Sequence, residues 1–133
     1  MQKKPMTTAI LATILAGSSI IVAQNALALD CNPPASLGDA HECAEQALKT
    51  ADKQLNKVYR QLMSVLKKQE GYEEIKYLKA AQKLWIKFRD ADCKFVIIRA
   101  NRYSYYLDEC LEKATSQRTT VLEGYLADRS DSS

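Results

Sequence analysis

The chain has 133 residues, of which 47% are apolar and 26% are charged. This composition suits one small folded domain and excludes a disordered or fibrous protein. Lysine and arginine total 19 against 16 acidic residues, but Lys3 and Lys4 lie at the extreme start. Without those two, 17 basic residues face 16 acidic ones, a net charge of +1. This balance argues against a nucleic-acid partner and against a membrane-surface partner, both of which call for a basic surplus.

Residues 1–28 have the pattern of a secretory signal peptide. A positively charged start is followed by an apolar stretch from Ala9 to Ala23 and by an A-x-A cleavage site that ends at Ala28. A transmembrane anchor is the alternative, but Gly17 and two serines interrupt the stretch, and it is shorter than the ~20 residues that span a bilayer. We therefore expect cleavage after Ala28 and a periplasmic or secreted single domain of residues 29–133.

The first helix is predicted over residues 39–69. Asp39-x-x-Glu42 is typical of a capping box at a helix start. Apolar or small side chains then recur every three or four residues, which predicts one buried stripe. The stripe consists of Cys43, Ala47, Ala51, Leu55, Val58, Leu62 and Leu66. Gly71 ends the run.

Two further helices are predicted over residues 73–100 and 104–127. The expected stripe of the second is Ile75, Leu78, Ala81, Trp85, Phe88 and then Asp92 or Phe95. The expected stripe of the third is Leu107, Leu111, Ala114, Arg118, Val121 and Tyr125. No sustained alternation after residue 30 indicates a strand. The predicted fold class is all-α, an elongated up-down-up three-helix bundle with two disulfides.

Four cysteines behind a leader predict two disulfides, because exported proteins fold in an oxidising space. We expect the pairs Cys31–Cys43 and Cys93–Cys110, which are 12 and 17 residues apart. A crossed pairing stays open, since an antiparallel bundle puts all four cysteines near one end. A zinc site with His41 fits no known finger spacing, so no metal or cofactor is expected.

The segment from Leu78 to Cys93 resembles the signature of the LprI-like lysozyme-inhibitor family, L-x-x-x-Q-x-x-W-[IV]-x-[FY]-R-[DN]-x-x-C. Two further pieces are similar to motifs of the same family. One is Ala51-Asp52-x-x-Leu55-Asn56-x-x-Tyr59 in the first helix, and the other is Thr115-x-x-Arg118-x-x-x-Leu122 in the third. The resemblance implies a secreted helical domain of bacterial envelopes with a role in restraining lysozyme.

The motif residues predict polar groups on the inner side of all three helices. They are Asp52, Asn56 and Tyr59, then Gln82, Trp85, Arg89 and Asp90, and finally Arg118. One interpretation is an internal network in which an arginine pairs with carboxylates, because buried polar groups need partners. The other is a ligand or partner site built from the same groups.

No sequence pattern indicates catalysis, so we expect a non-enzyme. Two patches are candidates for partner contact: Glu73 with Glu74, and Arg102 with Tyr103, Tyr105 and Tyr106. Tyrosine and arginine are enriched in interfaces, although the tyrosines are equally suited to partial burial at the bundle end. The expected function is non-catalytic binding, with lysozyme as the candidate partner. The alternative is an envelope interaction module that binds another protein and leaves lysozyme unaffected.

Overall fold

The computed structural model describes residues 29–100 and 105–130, and the expected signal peptide lies outside these ranges. Three helices follow one another: α1 (Leu37–Lys68), α2 (Tyr72–Ala100) and α3 (Tyr105–Ser130). Neither described range contains a strand, and the predicted all-α up-down-up bundle is confirmed. The helix bounds differ from the predicted ones by at most three residues. None of the described helices is both long and apolar enough to cross a membrane.

Helix α1 begins two residues earlier than predicted, because Ser36 caps it and Asp39 does not. The Ser36 hydroxyl accepts a hydrogen bond from the backbone N–H of Asp39 at 3.1 Å. This bond satisfies one of the amide groups that a helix start leaves open. Asp39 lies in the first turn, where a carboxylate favourably meets the positive end of the helix dipole.

A tight turn joins α1 to α2 and makes them antiparallel neighbours. The backbone N–H of Gly71 donates to Leu66 O at 2.8 Å, and that of Glu70 donates to Lys67 O at 3.3 Å. This pair of bonds is a Schellman motif, which closes the last turn of a helix. The left-handed residue is Glu70, with φ of 57°, rather than the neighbouring glycine.

Helices α1 and α3 make most of the interhelix contacts, and the core lies mainly between them. The buried cluster consists of Leu55, Val58, Leu62, Met63, Leu66, Ile75 and Leu122. On α3, Thr115 and Thr119 are buried as well. The Thr119 hydroxyl donates to the carbonyl of Thr115 at 2.9 Å, so its polar atom is satisfied within the helix.

The predicted buried stripe of α2 is wrong in its C-terminal half. Ile75 is buried and Trp85 is half-buried, as expected, but Phe88 and Phe95 are 66% and 61% exposed. Gln82 and Arg89 take inner positions instead, because their side chains find polar partners there. A hydrophobic pattern alone cannot distinguish the two faces when both carry large apolar side chains.

The predicted stripe of α3 is displaced by about one residue. The side that faces α1 carries Thr115, Thr119 and Leu122, whereas Val121 and Tyr125 are largely exposed. A stripe chosen by hydrophobicity passes over threonines, although their small side chains suit a close contact between two helices.

Both predicted disulfides form, Cys31–Cys43 and Cys93–Cys110, with Cα–Cα distances of 5.8 and 5.7 Å. The first ties the segment before α1 to its second turn, and the second ties the end of α2 to the start of α3. Both lie at the end of the bundle where α1 begins. All four cysteines are thereby consumed, so none is left as a zinc ligand.

Candidate functional site

The guanidinium of Arg89 joins all three helices from the middle of α2. Its Nη1 donates to Asp52 Oδ1 of α1 at 3.3 Å and to Thr115 Oγ1 of α3 at 2.8 Å. Its Nε donates to Asp90 Oδ1 at 3.0 Å, and its Nη2 lies 2.9 Å from the same oxygen. The Arg89 side chain is only 14% exposed, while both carboxylates are 45% exposed. A nearly buried charge is thus paired with two carboxylates that reach solvent.

Two arginines contact the ring of Trp85. The guanidinium carbons of Arg89 and Arg118 are 5.2 and 5.9 Å from its ring centre, within cation–π range. Arg118 Nε also donates to Gln82 Oε1 at 3.0 Å, which links α3 to α2. These contacts fix the rotation of α2 against α3 more specifically than apolar packing does.

Asn56 and Tyr59 stand apart from this cluster. Asn56 is exposed, and its amide donates to the carbonyl of Asp52 in its own helix at 2.8 Å. Tyr59 is half-buried against the apolar core. Together with Asp52, Gln82 and Trp85, both residues line a shallow groove between α1 and α2. The groove gives solvent access to the outer edge of the cluster.

The cluster is chemically satisfied as it stands. Among the described residues, no buried side-chain nitrogen or oxygen lacks a hydrogen-bond partner. Residues 29–100 and 105–130 also contain no group of three or more His, Cys, Asp or Glu side chains placed to hold a metal ion. The arrangement links the three helices through side-chain hydrogen bonds and leaves the carboxylates of Asp52 and Asp90 half-exposed.

Of the residues predicted to contact a partner, the structure describes only some. Tyr105 and Tyr106 begin α3, half-buried, with ring centroids 4.2 Å apart. Arg102 and Tyr103 lie outside the described residues.

The two acidic candidates are each bound to a cation of the chain itself. Glu73 pairs with Lys76 on its own helix at 3.4 Å, and Glu74 pairs with Arg129 of α3. The Glu74–Arg129 ion pair links α2 to α3, so this carboxylate contributes to the packing of the helices.

The sequence patterns missed two contributors to the bundle. Thr115 receives a hydrogen bond from Arg89, and its place three residues before Arg118 in a family motif was the available signal. Arg129 binds Glu74, and its carbonyl accepts from Gln69 Nε2 at 3.2 Å. No pattern indicated this second contact, because 60 residues separate its partners.

The family model described as lysozyme inhibitor LprI matches residues 31–122. The chain belongs to this LprI family. The match covers both disulfides and every residue of the polar cluster, and the predicted resemblance is confirmed. An uncharacterized protein of Rhizobium meliloti (strain 1021) is 32% identical over 106 residues, which cover 71% of this chain and 76% of the relative. No solved structure matches. The LprI description supports a lysozyme as the general class of partner and fits a non-catalytic role.

Proposed function

We propose that this protein is an exported, non-catalytic binding protein that inhibits a lysozyme. The observation that carries the proposal is the LprI family match over residues 31–122. Two disulfides and a leader pattern support export, because disulfides persist in oxidising compartments. The satisfied polar cluster supports binding over catalysis, since its charged groups are engaged with each other.

The segment between α2 and α3 is the proposed contact with the enzyme. The Cys93–Cys110 disulfide holds the two flanking helix ends together, with 5.7 Å between Cα atoms. Such a restraint keeps the described ends of α2 and α3 in fixed relative positions, which lowers the entropy that these ends lose on association. Arg99 is exposed at the end of α2, and Tyr105 and Tyr106 stack at the start of α3. Arginine and tyrosine are the residue types that contribute most to interface energies, and the cations suit an acidic cleft.

The test is a titration of the exported, oxidised protein into muramidase assays with a chicken-type and a goose-type lysozyme. We expect dose-dependent inhibition that ends at a fixed stoichiometry, because a binding protein blocks one enzyme molecule per site. No inhibition of either enzyme, with helical content verified, would refute the proposal. The chain would then be an envelope interaction module with a different partner.

A double variant tests the contact segment. Tyr105→Ala with Tyr106→Ala should raise the inhibition constant at least tenfold, because stacked aromatics at an interface centre contribute a few kcal/mol. Tyr72→Ala is the matched control, since Tyr72 is 70% exposed at the opposite end of the bundle. If the double variant melts far below the control and does not change inhibition, the tyrosines belong to the fold and the contact lies elsewhere.

A further inference from the structure

The outer face of α2 carries a continuous row of uncovered apolar side chains. The row consists of Tyr77, Ala81, Leu84, Phe88, Ala91, Phe95 and Ile98, and is called the α2 seam here. Every member is exposed, and Tyr77, Leu84 and Phe88 are each 66% exposed. A contiguous apolar patch of this size on a small monomer marks an interaction surface.

The spacing of the α2 seam is that of a coiled coil. Successive members are four and three residues apart in strict alternation over the whole row. This gives a mean period of 3.5 residues, which keeps a seam facing a partner helix when two helices supercoil. The inner face of the same helix packs on the core through Ile75, Leu78 and Trp85. The seam is a second apolar face beside it, and its members Tyr77 and Ala81 border a groove that Leu62 and Leu66 also line.

The seam is large enough for a stable pairing. Five of its side chains are large and roughly two-thirds exposed, which leaves about 500–700 Å² of apolar surface per copy. Val121 and Tyr125 of α3 are 42% and 49% exposed, and they line grooves together with the seam residues Phe88 and Tyr77 respectively. A standard interface buries about 800 Å² on each partner, so the face approaches what a specific dimer needs.

The pattern of side-chain size also matches itself when reversed. Outward from Ile86, the flanking seam residues are Leu84 and Phe88, then two alanines at 81 and 91, then the aromatic residues Tyr77 and Phe95. Two copies related by a twofold axis across the helix at that point bring large side chains to large ones and alanine to alanine. A twofold interface requires self-complementarity of this kind.

From the spacing, the exposed area and the reversed symmetry, we propose that two copies of this chain associate through the α2 seam, with their α2 helices antiparallel. The seam shares no residue with the surface proposed to contact lysozyme, and the two surfaces adjoin where Ile98 precedes Arg99. One border of the seam is basic, with exposed Lys83, Lys87 and Lys94. In an antiparallel pair, these borders of the two copies lie side by side. Their repulsion weakens the dimer at low salt, and screening strengthens it.

The test is sedimentation equilibrium of the exported, oxidised protein from 1 to 500 μM, at 50 and 500 mM NaCl. We expect a monomer–dimer equilibrium whose dissociation constant falls several-fold at the higher salt concentration. Leu84→Glu should raise that constant at least tenfold. Leu37→Glu is the matched control, because Leu37 is the same residue type, is also 66% exposed and belongs to α1 rather than to the seam. Ala91→Glu provides a second disruption that removes no large side chain, so the fold is retained.

Three outcomes would overturn the proposal. The first is a monomer throughout the concentration range at both salt concentrations. The second is equal weakening by Leu37→Glu and Leu84→Glu. The third is a monomer that binds vesicles of anionic phospholipid through the seam, with binding lost in Leu84→Glu and weakened by salt, because the face would then serve a membrane surface.

Discussion

Arg89 illustrates how one side chain connects sequence, fold and site at the scale of a residue. Its hydrogen bonds reach α1 and α3 from α2, and its guanidinium also makes a cation–π contact with the ring of Trp85. A lysine at this position would keep the charge, but it lacks the planar fork that serves several acceptors at once. The arginine therefore sets the relative positions of three helices.

Arg89→Ala should lower the free energy of unfolding by about 2–3 kcal/mol, because it leaves Thr115 buried without its donor and two carboxylates without their cation. The figure is below that of a fully buried pair, since both carboxylates reach water. The free energy of unfolding of Arg89→Lys should lie between those of the unaltered protein and Arg89→Ala. Chemical denaturation measures the free energy of unfolding of the unaltered protein and of both variants.

Arg60→Ala is the control for that series, because Arg60 is an exposed arginine on α1. Its effect should stay within about 0.5 kcal/mol, as for most surface substitutions. An Arg89→Ala protein as stable as the Arg60→Ala protein would contradict the role given to the cluster.

The polar residues of the cluster could be identified from sequence, but their pairing could not. The motifs indicated Asp52, Gln82, Trp85, Arg89 and Arg118, and helical spacing placed them on inner faces. Which arginine takes which partner depends on the rotation and depth of each helix, and these are set by the whole core. Arg118 bonds an amide rather than a carboxylate for this reason.

At the scale of the helices, α2 differs from its neighbours. Helices α1 and α3 share most of the interhelix contacts, while α2 adds fewer and exposes a row of large apolar side chains. It is held by Ile75 and Leu78 near its start, by the Arg89 cluster in the middle and by Cys93 near its end. The Cys93–Cys110 disulfide therefore supports the helix that packs least.

Removing each disulfide in turn separates these contributions. The chain-entropy model gives about 3 kcal/mol for either loop, because the separations of 12 and 17 residues are similar. Cys93→Ala with Cys110→Ala should cost more than Cys31→Ala with Cys43→Ala, since it also releases α2. Native-state hydrogen exchange should then show faster exchange in α2 than in α1. Equal losses and uniform exchange would show that α2 is as firmly packed as the others.

Helix number, order and length could be predicted from hydrophobic periodicity and turn residues, but the buried faces of α2 and α3 could not. Phe88, Phe95, Val121 and Tyr125 satisfied the period and yet lie outside. Periodicity indicates that a helix face is apolar, but it does not distinguish a face covered by the core from one covered by another molecule. On the α2 seam, the proposed cover is a second copy of the chain.

At the scale of the whole molecule, charge limits how the protein meets its partners. Residues 29–133 carry a net charge of +1, so they have almost no long-range field. Electrostatic steering of association requires opposite net charges or large opposed patches. The proposed binding to lysozyme therefore depends on contacts made after the encounter.

The rate constant of association with a basic lysozyme should be about 10⁵–10⁶ M⁻¹s⁻¹ and change less than about threefold between 50 and 300 mM NaCl. Stopped-flow or surface-plasmon measurements determine this rate. The double variant Lys49→Glu with Lys53→Glu lowers the net charge by four at exposed positions of α1. It should associate faster and with a steep salt dependence. A steep dependence in the unaltered protein would instead indicate guidance by a local charged patch.

Both disulfides lie at one end of the bundle, but only Cys93–Cys110 joins two helices, because Cys31–Cys43 ties α1 to the segment that precedes it. At the opposite end, the turn of residues 69–71 joins α1 to α2, while the end of α3 is held by the non-covalent contacts of Arg129 with Gln69 and Glu74. We therefore expect thermal opening of the described bundle to start at the end of α3 and to proceed toward the Cys93–Cys110 disulfide, which keeps α3 tethered to α2. The tether retains much of the native connectivity in the opened form, so closure requires no long search through chain conformations.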